Sequence, residues 1–283
     1  MLPLGLWFSD YRWQGEQVSL GDTFATIAQR AGCRSLTGRS KGYDVSPWER
    51  EWVPLNKRDK QPRPSAKAPK SRLTTIYATH GHGDHFFGAS TVLQRFPRAR
   101  LVATPEVVKM MRQQASPQYL ASFWTPRFPG QLADQLVLAE ELSGNVMDLE
   151  GHELVVVPLG HTDTDNTTCL HVPSIGLVVA GDAAYNDVHL HLGESNPQTR
   201  REWITALDTI EALHPRAVIA GHKRPGTDDD PRIIEETRQY IRDFDRVAQT
   251  TTTARELYDQ VLSLYPQRVN PGALWSSARA LKP

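Results

Sequence analysis

Six consecutive residues, His80-Gly81-His82-Gly83-Asp84-His85, put three imidazoles and a carboxylate on one short stretch of backbone. At this chain's composition an H-x-H-x-D-H string arises by chance in roughly one such sequence in a thousand. His80 and His82 are two apart, so on extended chain they project to the same side and can grip one ion. Asp84 and His85 follow a turn that Gly81 and Gly83 permit, and can face a second ion. Imidazole and carboxylate donors suit Zn2+, with iron or manganese as alternatives. A fold for this chain must hold that segment rigidly and bring further donors to it.

The rest of the chain offers such donors at the ends of strands. LTTIYATH reads as a β-branched strand running into His80, and ELVVVPLGHT as a strand that stops at His161. TTCLHVPSIGLVVAGDAAY reads as two strands joined by a Pro-Ser-Ile-Gly turn, the second ending at Asp182. AVIAGHK is a further strand, terminated by His222. Between these lie helical patterns: FFGASTVLQRF up to Pro97, PEVVKMMRQQ with Pro105 near its first position, RREWITALDTIEAL, and one or two helices over 231–264. Residues 115–135 read as helical or irregular and suited to covering a cleft. Strand ends followed by loops are where rigid scaffolds hold reactive groups.

HGHGDH at 80–85, GHT at 160–162, GD at 181–182 and GH at 221–222, in that order, resemble the complete motif set of the metallo-β-lactamase superfamily. The resemblance covers residues 73–223. It implies an α/β chain folded as an αββα sandwich, with His80, His82 and His161 binding a first zinc. Asp84, His85 and His222 would bind a second, and Asp182 would bridge the two. It further implies a hydrolase in which a hydroxide shared between two ions, its pKa drawn from 15.7 toward about 7, attacks a carbonyl or phosphorus. Asp84 would orient that nucleophile, and Tyr185 is a candidate donor to a substrate carbonyl or oxyanion. Members of that superfamily usually open with hydrophobic strands ahead of the histidine motif. Residues 1–72 here offer no such pair, so the N-terminal strands are expected to be atypical or missing.

Residues 50–72 are rich in Lys, Arg and Pro, the composition of an exposed linker. The chain is therefore expected to divide into an atypical N-terminal segment, 1–72, and a hydrolase domain, 73–283. Lys+Arg and Asp+Glu both number 32, so charge asks for neither nucleic acid nor a membrane surface as partner. Cys33 and Cys169 are far apart, which suits a reducing compartment. MLPLGLWFSDYRW lacks a basic leader, and no apolar run approaches the ~20 residues of a membrane span. A cytoplasmic protein is expected.

Other polar residues are assigned more modest parts. Asn186, His189 and His191, with Tyr185, are candidates for lining a substrate pocket, and Asp163 and Asp165 for shaping the turn after GHT through bonds to the backbone. The expected substrate is a small carbonyl compound, a lactam, lactone or related cyclic amide or ester. An acyl thioesterase of the same fold and a non-catalytic zinc-binding protein are the alternatives; retention of both Asp84 and Asp182 exceeds what a closed structural zinc requires.

Overall fold

The computed structural model describes residues 4–6 and 73–282. They fall into two compact units, one ending at Ser143 and the other starting at Gly144. The basic stretch 50–72 lies outside the described residues.

The first unit carries a wholly parallel four-stranded sheet in the order β1 (Leu4–Leu6), β2 (Thr75–Tyr77), β3 (Arg100–Ala103), β4 (Glu140–Glu141). Parallel neighbours require crossovers, which helices provide. Helix α1 (Ala89–Arg95) lies between β2 and β3, and α2 (Pro105–Gln114) follows β3. Thr104 caps α2 through Val107 N–H, and Pro105 occupies its first turn, where the missing N–H costs nothing. Ile76, Tyr77, Leu101, Val102 and Ala103 are all buried, the continuous apolar pattern of a sheet covered on both faces. Beyond α2 come three short turns, Pro117–Tyr119, the π-helical Leu120–Trp124, and Thr125–Arg127.

Ahead of β2 the described residues hold one short strand, which fits the expectation of an atypical N-terminus. Leu4, Gly5 and Leu6 pair in parallel register with Thr75, Ile76 and Tyr77, so an N-terminal strand is present. Three residues are too few to show an alternation, which is why this stretch carried no strand signal.

The second unit carries a five-stranded mixed sheet, β5 (Val146–Leu149), β6 (His152–Gly160), β7 (Thr167–Val172), β8 (Leu177–Asn186) and β9 (Ala217–Lys223), adjacent in that order. Pairing is antiparallel from β5 to β8 and parallel between β8 and β9. The β7–β8 turn closes on Gly176 at φ +62°, a left-handed conformation that glycine adopts without strain. β8 does not stop at Asp182 as expected but runs on to Asn186, because a bulge between Gly181 and Tyr185 interrupts its register with β9 before pairing resumes. All ten of its residues are buried.

Helix α3 (Pro197–Glu211) makes the β8-to-β9 crossover and starts with a capping box of Asn196 and Thr199. The 231–264 pattern resolves into two helices, α4 (Ile233–Thr250) and α5 (Ala254–Leu264), followed by α6 (Pro271–Leu281). The core of this unit joins Val178, Ala180 and Val218 of the sheet to Trp203, Leu207, Tyr240, Ile241, Phe244, Leu257 and Leu274. Arg238 on α4 ties back to Asp208 and Glu211 on α3 at 2.9 and 2.7 Å. The class is the expected α/β with two sheets. No helix among the described residues is long and apolar enough to cross a membrane.

Candidate metal centre

In the first unit, β2 delivers the chain to His80 after Ala78 has extended the pairing by donating its N–H to Val102 O at 3.1 Å. Thr79 Oγ1 lies 3.1 Å from His80 Nδ1 and fixes one edge of that ring. His82 is extended (φ −64°, ψ 141°), and a 3-10 turn, Gly83–His85, then folds back as His85 N–H donates to His82 O. The result gathers the imidazoles: ring centroids are 5.1 Å apart for His80–His82 and 4.1 Å for His80–His85. All three rings are buried, and Asp84 Oδ2 sits 3.5 Å from His85 Nε2. Three imidazoles packed this closely inside a protein form a donor set suited to a soft-to-borderline cation.

The two glycines serve this arrangement by their size. Neither has positive φ. A Cβ on Gly81 would come within 2.5 Å of Met110, and one on Gly83 within 2.5 Å of Phe87 and 2.8 Å of Trp124. The histidine loop is therefore pressed onto α2 and onto the aromatic π-helical turn, where Trp124 is itself anchored by donating its indole N–H to Gln114 Oε1 at 2.8 Å.

In the second unit, β6 ends at Gly160 (φ +76°) and hands the chain to His161, whose Nδ1 is 2.6 Å from Asp165 Oδ1. His161 Nε2 is buried and has no hydrogen-bond partner among the described residues. Asp163 is fully buried, with the Thr162 hydroxyl donating to its Oδ1 at 2.9 Å. The expected turn-shaping role does not fit Asp165, whose carboxylate engages the His161 ring.

Asp182, on the bulge of β8, is buried and doubly approached at one oxygen: Tyr185 OH donates to Oδ2 at 3.0 Å and His222 Nε2 lies 3.1 Å from it. The Tyr185 and His222 rings stack at 5.5 Å and 25°. Burial, then the charges of Asp182 and Asp163, hold the Tyr185 hydroxyl well above the usual phenol range, so it is a neutral donor. A Cβ on Gly221 would collide with Asp182 Oδ1, so the strand neighbour of the carboxylate has to be glycine.

Asn186 and His189 are internal tethers. Asn186 Nδ2 donates to Asp228 O at 2.7 Å, and His189 Nδ1 is 2.9 Å from the Tyr240 hydroxyl with its ring fully buried. Lys223, next to His222, forms a buried pair with Asp229 at 2.8 Å.

Candidate metal-ligating side chains are thus His80, His82, Asp84 and His85 in the first unit and Asp163, Asp182 and His222 in the second. His161 contributes its buried Nε2, which has no hydrogen-bond partner among the described residues. Asp163 is the member that sequence reasoning passed over. Its one signal is an acid placed two residues beyond a strand-end histidine, and that signal is shared by any turn aspartate.

A sequence model described as the metallo-beta-lactamase superfamily matches residues 54–222. Among solved structures, a metallo-beta-lactamase family protein from Thermus thermophilus is similar at 21% identity, with 74% of this chain and 73% of that chain covered and a TM-score of 0.52. A beta-lactamase domain protein from Burkholderia ambifaria is similar at 17% identity, covering 75% of this chain and 67% of that one, also with a TM-score of 0.52. No curated protein matches the chain.

Proposed function

The chain belongs to the metallo-β-lactamase superfamily, and on that premise we propose that it is a metal-dependent hydrolase with a two-zinc centre acting on a small carbonyl substrate, a lactam, lactone or related cyclic amide or ester. The observation that carries this reading is the gathering of three buried imidazoles, His80, His82 and His85, on one loop with Asp84 beside them. The donor chemistry fits zinc, and so does the buried Nε2 of His161, which has no hydrogen-bond partner among the described residues.

In this reading His80, His82 and His161 would serve one ion, Asp84, His85 and His222 would serve the other, and Asp182 would be available to both. Bound divalent ions would supply Lewis acidity toward a carbonyl oxygen and make water acidic enough to lose a proton near neutral pH. Tyr185 keeps the Asp182 carboxylate in one orientation by donating to its Oδ2. Gly221 leaves room for Asp182 Oδ1, and Gly81 and Gly83 let the histidine loop settle against Met110 and Trp124. Asp84, whose side chain is 15% exposed, is the carboxylate we assign to orienting the attacking water.

The test is to purify the full chain without added metal and measure metal per chain by elemental analysis. Lactam, lactone and thioester substrates are then assayed before and after chelation and re-addition of zinc, iron or manganese. Two ions per chain and metal-dependent opening of a lactam or lactone are expected. Turnover of thioesters alone would overturn the substrate class, and a folded chain holding no metal would overturn the whole reading.

A further inference from the structure

We propose that Asp165 is a positioning residue for His161: its carboxylate holds the imidazole with the proton on Nδ1 and so presents Nε2, lone pair inward, as a metal ligand. The proposal rests on the metal-centre reading above and assigns a residue outside that ligand set.

Three observations carry it. The first is distance: Asp165 Oδ1 lies 2.6 Å from His161 Nδ1, the short separation of a charge-assisted hydrogen bond. An ionised carboxylate only accepts, so the shared proton belongs to the ring nitrogen, and the opposite nitrogen is then the basic one. The second is the contrast in burial across this pair. The His161 side chain is 8% exposed and the Asp165 side chain 71%, so the carboxylate sits in solvent and grips the outer edge of a ring whose inner edge is enclosed. The third is the inner edge itself: Nε2 is buried with no hydrogen-bond partner among the described residues. A buried acceptor without a donor calls for an explanation, and an ion in front of it is one.

The local chain is built for this contact. β6 is bulged between Pro158 and Gly160, and Gly160 takes φ +76° before the histidine. Thr162 N–H donates to Thr164 O at 2.9 Å, and the tight turn returns Asp165 to the ring four residues back. His80 is held differently. Its Nδ1 faces the Thr79 hydroxyl, which can donate or accept and therefore leaves the tautomer of that ring open. Metal-bound histidines are commonly oriented by a carboxylate on the far nitrogen, and loss of such a partner weakens metal binding by about 10–100-fold.

The experiment uses the full-length chain and zinc as the probe. Zinc affinity is measured by competition with a chromophoric chelator for the wild type, Asp165→Asn and Asp165→Ala, and the His161 tautomer is read by 15N–1H correlation spectroscopy. The thermal midpoint after chelation serves as the control for folding. Asp165→Ala is expected to bind the ion held by His161 about 10–100-fold more weakly, and to lose the Nδ1–H signature that the wild type shows. Asp165→Asn, which keeps an accepting oxygen but no charge, should retain the tautomer and fall between. The midpoint after chelation should not move, since the substituted side chain is in solvent. Equal zinc affinity in all three chains, or an Nε2–H wild-type ring, overturns the proposal alone. A wild-type chain that binds no zinc overturns the metal reading and this proposal with it.

Discussion

Tyr185 donates its hydroxyl to Asp182 Oδ2, the same oxygen that His222 Nε2 approaches at 3.1 Å. That shared atom makes Tyr185→Phe informative. The variant keeps the ring stacked on His222 and removes one buried hydrogen bond, for a net loss of about 1 kcal/mol in stability. If Tyr185 acts through Asp182, zinc affinity should fall by about an order of magnitude. At saturating zinc, kcat/KM should then stay close to that of the wild type. The opposite pattern, intact zinc affinity with a fall in kcat/KM, would make Tyr185 the substrate donor that its sequence position first suggested. A zinc titration alongside steady-state kinetics separates the two.

Gly221→Ala should remove metal binding more thoroughly than any change at the rim. The added methyl would occupy the place of Asp182 Oδ1 and press on the backbone at Gly181 and Asp182, with the nearest backbone atom at 2.8 Å. The strand pair has to part or the carboxylate has to turn away, at a cost of about 1–3 kcal/mol for overpacking. Gly226→Ala is the control, because a methyl there meets nothing and only the backbone, at φ +84°, resists it. Metal content and urea unfolding of the two variants should differ accordingly.

The position of the donors was legible in the sequence for a physical reason. Imidazoles directly after β-branched runs announce strand ends, and β2 and β6 do lead to His80 and His161, while His222 and Asp182 lie within β9 and β8. What was not legible depended on contacts distant in sequence. Gly81 and Gly83 looked like residues needed for their backbone freedom, whereas it is Met110, Phe87 and Trp124 that leave no space for a side chain. Asp163 and Asp165 read alike in TDTDN, yet one is fully buried and the other stands in solvent, a distinction made by the fold of the turn. Helix α6, with Gly272 and two serines, shows little periodicity, but it buries Leu274 and Ala278 against its neighbours.

His189 should give the second unit an acid-sensitive stability. Burial, reinforced by the charge of Arg268, lowers its pKa from the usual 6.5 to about 4. The unfolded chain therefore binds a proton at this position more readily than the folded one over that interval. Stability from the neutral ring is complete above about pH 6.5 and is lost as pH falls toward about 4, with a slope of up to roughly 1.4 kcal/mol per pH unit. His189→Gln, which retains a polar group for the Tyr240 hydroxyl, should flatten the profile. Unfolding in urea at pH 7, 6 and 5 with chelator present, wild type against variant, reads the difference directly.

Trp124→Ala should be among the most damaging changes in the first unit. It removes a buried ring that packs at 5.2 Å on Phe87 and lines the histidine loop, and it strands Gln114 Oε1. A loss of about 3–5 kcal/mol is expected. Trp124→Phe, which fills much of the space but cannot donate to Gln114, should cost about 1–2 kcal/mol. Chemical denaturation of both variants tests the ordering.

The bulge in β8 also governs which kinds of sequence change this chain can survive. Gly181 pairs with Ala220 and Tyr185 with His222, so four steps along one strand are matched to two along its neighbour. Successive strand residues point to opposite faces, and a displacement by one exchanges those faces for everything downstream. Losing or gaining a single residue at 183 or 184 would bring Asn186 or Ala184 to the register now held by Tyr185, without altering any ligand. Homologous chains that keep this centre should therefore keep Asp182, and should differ at 183 and 184 by replacement and never by insertion or deletion of one residue.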